Sequence, residues 1–524
     1  MDIIGDRTLR DLLTEKVSLH NEKLFLLFED KEEKRSELTY EAFQNRTNQL
    51  SQALLSFGIK KGQHVTLHLP NSLDFMVSWF ALANIGAVMV PTNILSPKDE
   101  MAYILTHSES MLLITEAEYL NKFTAIRSQL PLLEDIWLAR YEGEEYAEQS
   151  LAFLMEKESG ELPEISLKSD DVAAMLYTSG TTSKPKGVQI THANYLFTGE
   201  VMSKSIRLTP ADRQLIVLPL FHGNAQYYSA MSALTVGASI AITERFSASR
   251  YFKQAKRLSA TVGSLFAAPI RMILAQHYDA ADRDNLLRVI WFAQSLTDEQ
   301  LDHFEQQYEV PLLQLYGMTE TVGVPLMNPL DGIRINKSIG KPTIGYEVKV
   351  IDADGNEQPA GVPGQIIVKG MPGRTLMKAY FKNNEATAAT IKGGWLYTGD
   401  NARVDEAGYF YFVDRIKDMI KRSGENVAAS EVESVLAAHK LVYESAVIGV
   451  PDDIRDEAIK AYVILHDGAK ITENELLVYC KERLASFKVP DSIEILEAFP
   501  RTSVGKIQKH LLRQKHEEGK LKST

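Results

Sequence analysis

From about residue 38 to 330, short apolar runs (HVTLHL, AVMVPT, MLLIT, AAMLYT, QLIVLPL, ASIAIT, RVIWFA) alternate with longer segments whose apolar positions recur at helical spacing. Such alternation predicts α/β layers with strands buried in largely parallel sheets. The most apolar stretch, Phe75 to Pro91, is interrupted by Asn84 and Gly86. It falls short of the roughly 20 residues needed to span a membrane. It predicts a buried helix, a glycine stop and a short buried strand. From about 338 to 413 the texture changes to short strands separated by Gly, Asp and Pro turns (EVKVID, ADGNEQPAG, QIIVKG, GYFYFVD), a β-rich subdomain. After the charge-dense DRIKDMIKRSGEN, the remaining chain predicts a small α/β domain. The expected organisation is a large N-terminal part, residues 1–415, of layered α/β subdomains plus the β-rich one. A smaller C-terminal α/β domain, residues 416–524, follows. The short polar joint between them is where hinge motion is expected.

Composition narrows the chemistry. The 524 residues are 45% hydrophobic and 24% charged, with 57 Lys and Arg against 69 Asp and Glu and a net charge of −12. That balance argues against nucleic acid as a partner. The single cysteine, Cys480, sits in the helical pattern ENELLVYCKERL, which predicts packing rather than reactivity. One cysteine, no signal-peptide core at the N-terminus and no anchor at the C-terminus give the expectation of a reducing, cytoplasmic compartment and no membrane span. Homo-oligomerisation is left open by these features. No two glycines lie two apart, so the GxG start of a dinucleotide fingerprint is absent, as are GxSxG and HExxH. His64 and His68 occupy an alternating strand-like run, which predicts a strand face rather than a metal site.

One segment stands out. Strand-like AAMLY leads into TSGTTSKPKGV, where hydroxyls at Thr178, Ser179, Thr181, Thr182 and Ser183 stand beside Gly180, Gly187, Lys184 and Lys186. Glycine allows backbone N–H groups to approach a phosphate, and hydroxyls and ammonium groups add donors and charge. The spacing is not that of a Walker A loop.

The string YTSGTTSKPKG resembles the signature of the acyl-adenylate-forming superfamily of acyl-CoA synthetases, luciferases and peptide-synthetase adenylation domains. YGMTE (316–320), YTGD (397–400), YFVDRIKDMIKRSGEN (411–426) and PRTSVGKI (500–507) match further blocks in the same order. The resemblance implies ATP, Mg2+ and coenzyme A as reactants and cofactor, with a small carboxylic acid as substrate. The acid would be joined to AMP and then transferred to a thiol. It further implies that Lys506 stabilises the adenylation transition state and that Glu320 is the magnesium ligand. Thr319 would contact the α-phosphate. Tyr316, Gly317 and Met318 would line the adenine and acyl sites. Ala293, Gln294 and Ser295 would lie near adenine, although WFAQS departs from the glycine-rich form often seen there. Asp400 would hold the ribose, with Arg415 its partner on ribose or phosphate. Lys417 falls at the hinge. Lys421, Ser423, Gly424 and Glu425 would serve the thioester step, Gly424 leaving space for the pantetheine arm.

The acyl pocket is expected in PLFHGNAQYYSAM, with Phe221, His222, Tyr227 and Tyr228, and with Trp291 from RVIWFA. His222 is also counted among the catalytic candidates. Phe221 and His222 match the FH of acyl- and aryl-CoA ligases, whereas amino-acid adenylation domains usually carry FD. No carrier domain follows Thr524, which favours free CoA as acceptor. The opening MDIIGDRTLRDL, GVPDDIRDEAIKAYVIL and SFKVPDSIEI look most like carnitine/crotonobetaine-CoA ligases. A trimethylammonium tail would favour aromatic faces. Short- to medium-chain fatty acids, and loading of a carrier protein, are the alternative enzymatic readings. A binding protein without turnover is disfavoured by the joint presence of Lys506, Glu320, Asp400 and Arg415.

Overall fold

The computed structural model describes residues 3–159, 161–178, 184–422, 425–452, 455–501 and 507–521. The chain divides into two compact units. The first holds residues 1–178, 185–348 and 368–396; the second holds 179–184, 349–367 and 397–524.

Two sheets with parallel cores build the first unit. In the seven-stranded sheet the order is Ala379–Tyr380, Lys186–Thr191, Val172–Thr178, Val88–Pro91, His64–His68, Ser110–Thr115 and Asp135–Leu138. All of its strand pairs are parallel except the two involving Lys186–Thr191. Helices provide the crossovers that parallel pairing demands. One is Leu73–Ile85, capped by the Ser72 hydroxyl and buried at every position except Asp74, as a segment covered on all sides should be. It stops at Gly86 in the left-handed region (φ 72°), and Val88–Pro91 follows as a buried strand.

The nine-stranded sheet runs Lys341–Pro342, Leu326–Met327, Leu312–Tyr316, Val289–Ala293, Val262–Phe266, Arg213–Ile216, Ser239–Thr243, Leu24–Glu29 and Arg35–Thr39. It is parallel from Leu312–Tyr316 through Leu24–Glu29 and antiparallel at both margins. Leu215, Leu265, Ile290, Phe292 and Leu312 share one core with Phe252, Phe304 and Tyr308 of the helices Tyr251–Arg257 and Asp298–Tyr308. Strand side chains alternate, so Ser264 and Trp291 point to the opposite face.

Two departures from the sequence pattern have identifiable causes. QLIVLPL gives regular strand only over Arg213–Ile216. Pro219 has no N–H for a ladder, and beyond Ile216 the buried Asn71 side chain substitutes for one. Its Nδ2 donates to the Leu218 carbonyl (3.0 Å) and the Thr243 carbonyl (3.1 Å), and its Oδ1 accepts from the Leu220 N–H (2.7 Å). The next segment, Asn224–Ala230, winds as a buried π-helix, a form associated with functional sites.

The second unit contains a small α/β body. Strands Val442–Asp452 and Asp456–Leu465 form a long antiparallel pair, flanked by Ser492–Ile495 in parallel. On one face Val447, Ile459, Ala461 and Val463 pack with Val432 and Leu436 of helix Ala429–Ala437 and with Leu476 and Cys480 of helix Glu473–Lys481. On the other, Ala446, Ile448 and Tyr462 pack with Phe499 and Leu512. Cys480 is fully buried, which pushes its thiol up to about 11. Among the described residues no helix is long and apolar enough to cross a membrane.

Candidate active site

The site of the first unit gathers where parallel strands end. Phe266 and Ala293 are register partners, as are Ala293 and Leu315, so the carboxyl ends of Val262–Phe266, Val289–Ala293 and Leu312–Tyr316 form one rim. Ligands of open α/β sheets bind at such rims. Beyond Tyr316 come half-buried Gly317, Met318 and Thr319, then a single 3₁₀ turn, Thr319–Thr321, that carries Glu320. Gly317 is a close-approach glycine. A Cβ there would lie 2.6 Å from the Tyr228 hydroxyl and 2.9 Å from the Gly323 carbonyl.

Glu320 is buried, 6% exposed. Its Oε1 accepts from the Tyr380 hydroxyl (2.8 Å), and its carbonyl accepts from the Met377 N–H (2.9 Å). Burial, and then the neighbouring Glu320 charge, hold the Tyr380 phenol far above its ordinary value, so it stays a donor. The Lys186 ammonium lies 4.8 Å from the centre of the Tyr380 ring. Sheet register produces this grouping, because Tyr380 pairs with Val188, two residues after Lys186. The structure thus brings Lys186 and Glu320 together through Tyr380, a residue the sequence reading missed. Nothing in the spacing of KAYFKN marks it, since it joins the site only through a sheet edge.

Thr178 is the register partner of Lys186, so the chain leaves and re-enters the sheet at one place. Tyr103 donates to the Pro185 carbonyl (3.0 Å), and His107 Nδ1 is bonded to the Tyr177 hydroxyl (2.7 Å). Helix Lys98–His107 therefore holds both flanks of the segment. Ser179, Gly180, Thr181, Thr182 and Ser183 lie outside the described residues. Gly187 has a packing reason of its own, since a Cβ would meet Met175 Sδ at 2.7 Å.

Ala293 is half-buried, and Gln294 and Ser295 are exposed. Gln294 sits at φ 75°, a conformation that favours glycine, which fits its departure from the glycine-rich form. Phe221 and His222 are half-buried, the His222 ring meeting Phe266 edge-on at 5.4 Å. Its Nδ1 accepts from the Asn224 N–H (3.2 Å), which places the proton of a neutral ring on Nε2. Tyr227, Tyr228 and Trp291 are almost wholly buried. Tyr227 packs on Tyr195 (5.7 Å between ring centres), and Tyr228 donates to the Gly323 carbonyl (3.4 Å). Trp291 pairs in register with Ser264, whose hydroxyl donates to Asn224 Oδ1 (2.7 Å).

In the second unit Asp400 and Arg415 are register partners across an antiparallel pair, Arg415 Nε lying 3.3 Å from Asp400 Oδ1. Lys417 falls in the 3₁₀ turn Ile416–Asp418, and its side chain is outside the description. Lys421 and Glu425 are exposed on the pair Met419–Arg422 and Glu425–Ala428, and the Lys421 N–H donates to Glu457 Oε2 (2.7 Å). Ser423, Gly424 and Lys506 lie outside the described residues. His68 is held by protein groups on both ring nitrogens. Its Nδ1 meets Thr92 Oγ1 (2.9 Å), and its Nε2 accepts from Lys122 Nζ (3.2 Å).

A rim at the ends of parallel strands, carrying a sheltered carboxylate bonded to a tyrosine whose ring faces a lysine, is the kind of place where α/β folds bind ligands. The AMP-binding enzyme model matches residues 13–381, and the AMP-binding enzyme C-terminal domain matches 431–506. The chain belongs to the AMP-binding enzyme family. It is 38% identical to the crotonobetaine/carnitine–CoA ligase of Proteus mirabilis over 524 aligned residues, 98% of this chain and 100% of that one. Among solved structures, the anthranilate CoA ligase AuaEII in complex with anthranoyl-AMP matches with a TM-score of 0.90 at 28% identity, covering 98% of both chains. ATP-bound MatB from Rhodopseudomonas palustris matches with a TM-score of 0.87 at 26% identity, over 96% of this chain and 98% of that one.

Proposed function

We propose that this protein is an AMP-forming carboxylate–CoA ligase acting on an acid of the carnitine, crotonobetaine or γ-butyrobetaine type. Full-length similarity to the Proteus mirabilis ligase carries the reading. The grouping of Lys186, Tyr380 and Glu320 supplies its chemical sense.

A carboxylate resists nucleophiles because of its charge and its poor leaving group. Attack on the α-phosphate of ATP forms a C–O–P anhydride and expels pyrophosphate; a thiol then attacks the acyl carbon and expels AMP. The first step brings two anions together, so cations at the developing charge dominate its cost. One ammonium at about 4 Å, in an effective dielectric near 20, is worth roughly 4 kcal/mol, about three decades in rate. Lys506 takes that role in this proposal, with Thr319 on the α-phosphate and Asp400 and Arg415 on the ribose side. The carboxylate of Glu320 fits a magnesium ion, which takes one or two carboxylates together with phosphate oxygens. Among the described residues no cage of three or more His, Cys, Asp or Glu gathers. When bound, the ion would offset the phosphate charge. Lys421, Ser423, Gly424 and Glu425 then serve the thioester step.

In this proposal a quaternary ammonium would meet ring faces among half-buried Phe221, His222 and Phe266. AMP formation measured with carnitine, crotonobetaine, γ-butyrobetaine and straight-chain acids tests the reading. The betaines should give the highest kcat/KM. A preference for uncharged medium-chain acids would replace the substrate assignment, and absence of AMP with every acid would overturn the activity.

A further inference from the structure

The turn that follows Glu320 is strained. Val322 has φ 65° and ψ −72°, the centre of a γ-turn of the rarer, positive-φ kind. The Gly323 N–H closes it by donating to the Thr321 carbonyl (2.8 Å). A β-branched residue is among the least suited to this conformation, and Val322 is fully buried. Strain of this kind persists only where surrounding groups enforce it, and it concentrates at functional sites.

The enforcing group is visible. The buried Tyr346 hydroxyl donates to the Thr321 carbonyl (2.8 Å) and accepts from the Gly323 N–H (2.9 Å), touching both ends of the turn with one oxygen. Tyr346 packs edge-on against Phe197 (5.2 Å). Gly323 admits no Cβ, which would fall 2.5 Å from the Tyr346 hydroxyl. Burial raises this phenol well above its ordinary value, so the hydroxyl keeps its proton and goes on donating.

We infer that Tyr346 is a positioning residue for the adenylation step, a clamp that holds the Val322 γ-turn closed and thereby fixes Thr319 and Glu320. The inference rests on the reading that Glu320 serves adenylation. It predicts that the hydroxyl matters to the rate far more than to the fold. Without the clamp the valine relaxes toward negative φ, and the residues of the preceding turn, Thr319 and Glu320 among them, shift with it.

The test measures ATP- and acid-dependent pyrophosphate release by Tyr346→Phe, Val322→Gly, the double variant and Glu320→Gln. Tyr346→Phe should lower kcat roughly 10- to 100-fold, the scale of a misplaced site, while leaving KM for the acid little changed. It should also raise the Mg2+ concentration needed for half-maximal rate. Hydrogen exchange of the peptide over 317–324 should quicken in Tyr346→Phe without ligands present. Glycine accepts the positive φ at no steric cost, so Val322→Gly in the Tyr346→Phe background should recover most of the loss. A wild-type rate and Mg2+ midpoint in Tyr346→Phe, beside an inactive Glu320→Gln, would overturn the clamp and leave the proposed function standing. A double variant no faster than Tyr346→Phe would also overturn it. If Glu320→Gln adenylates normally, the assignment of Glu320 fails and the clamp with it. Should Tyr346→Phe fold poorly, Gly323→Ala decides: its Cβ would fall 2.5 Å from the Tyr346 hydroxyl and displace it, so kcat should drop and exchange over 317–324 should quicken, and a wild-type rate and exchange would overturn the inference.

Discussion

His68 and His192 are both fully buried. Burial first, and then the Lys122 charge, pushes His68 down to about 3; burial foremost pushes His192 down to about 4. Each is neutral in the fold but takes a proton near pH 6.5 when unfolded. The unfolded chain therefore binds more protons below that pH, and stability falls on acidification through this window. Each histidine contributes a slope of about 1.4 kcal/mol per pH unit between about pH 6.5 and its folded value. Denaturant titrations at pH 7, 6 and 5 should show this loss, and His68→Gln should remove one histidine's share of the slope while losing some stability at pH 7. An unchanged slope would mean that the ring is protonated in the fold. At the same scale, Gly317→Ala should cut adenylation at least tenfold, because the new Cβ meets the Tyr228 hydroxyl and the Gly323 carbonyl. Steady-state AMP formation reads it directly.

Elements differ in how openly the sequence announces them. Leu73–Ile85 was legible because a largely apolar run of helical length ends at a glycine stop. The parallel cores were legible from alternation, whereas the antiparallel margins were not, because register at a sheet edge depends on partners far along the chain. Tyr380 is the instructive case: its bond to Glu320 spans 60 residues and exists because Ala379–Tyr380 pairs beside Lys186–Thr191. The motif residues of YGMTE could be located in the chain, but the support beneath them could not. Asn71 makes the same point. Standing just ahead of Leu73–Ile85, it serves the carbonyls of Leu218 and Thr243 and the N–H of Leu220, at strand ends and connections of the neighbouring sheet. Asn71→Leu should cost about 3 kcal/mol by leaving these backbone groups unpaired. It should also reduce turnover, because the chain leading to Phe221 and His222 loses its anchor. A thermal melt paired with AMP formation measures both.

Across the whole molecule, the proposed chemistry assigns two half-reactions to different parts of the second unit's sequence. Lys506→Ala should remove most of the pyrophosphate release yet spare thioester formation from supplied acyl-AMP and CoA. Gly424→Leu should do the reverse. Assaying each half-reaction separately gives the answer, and damage to the same half by both substitutions would refute a division of labour. Both positions came from resemblance alone. The charge-dense text around them carries no periodic pattern from which their roles could have been read.

The inert thiol of Cys480 has a practical consequence. With the chain's one native sulfhydryl enclosed and protonated at neutral pH, maleimide dyes will ignore it. Two engineered surface cysteines, one per unit, can therefore carry a donor and an acceptor fluorophore on an otherwise wild-type background. Energy transfer could then be followed in real time as ATP, acid and CoA are added in turn.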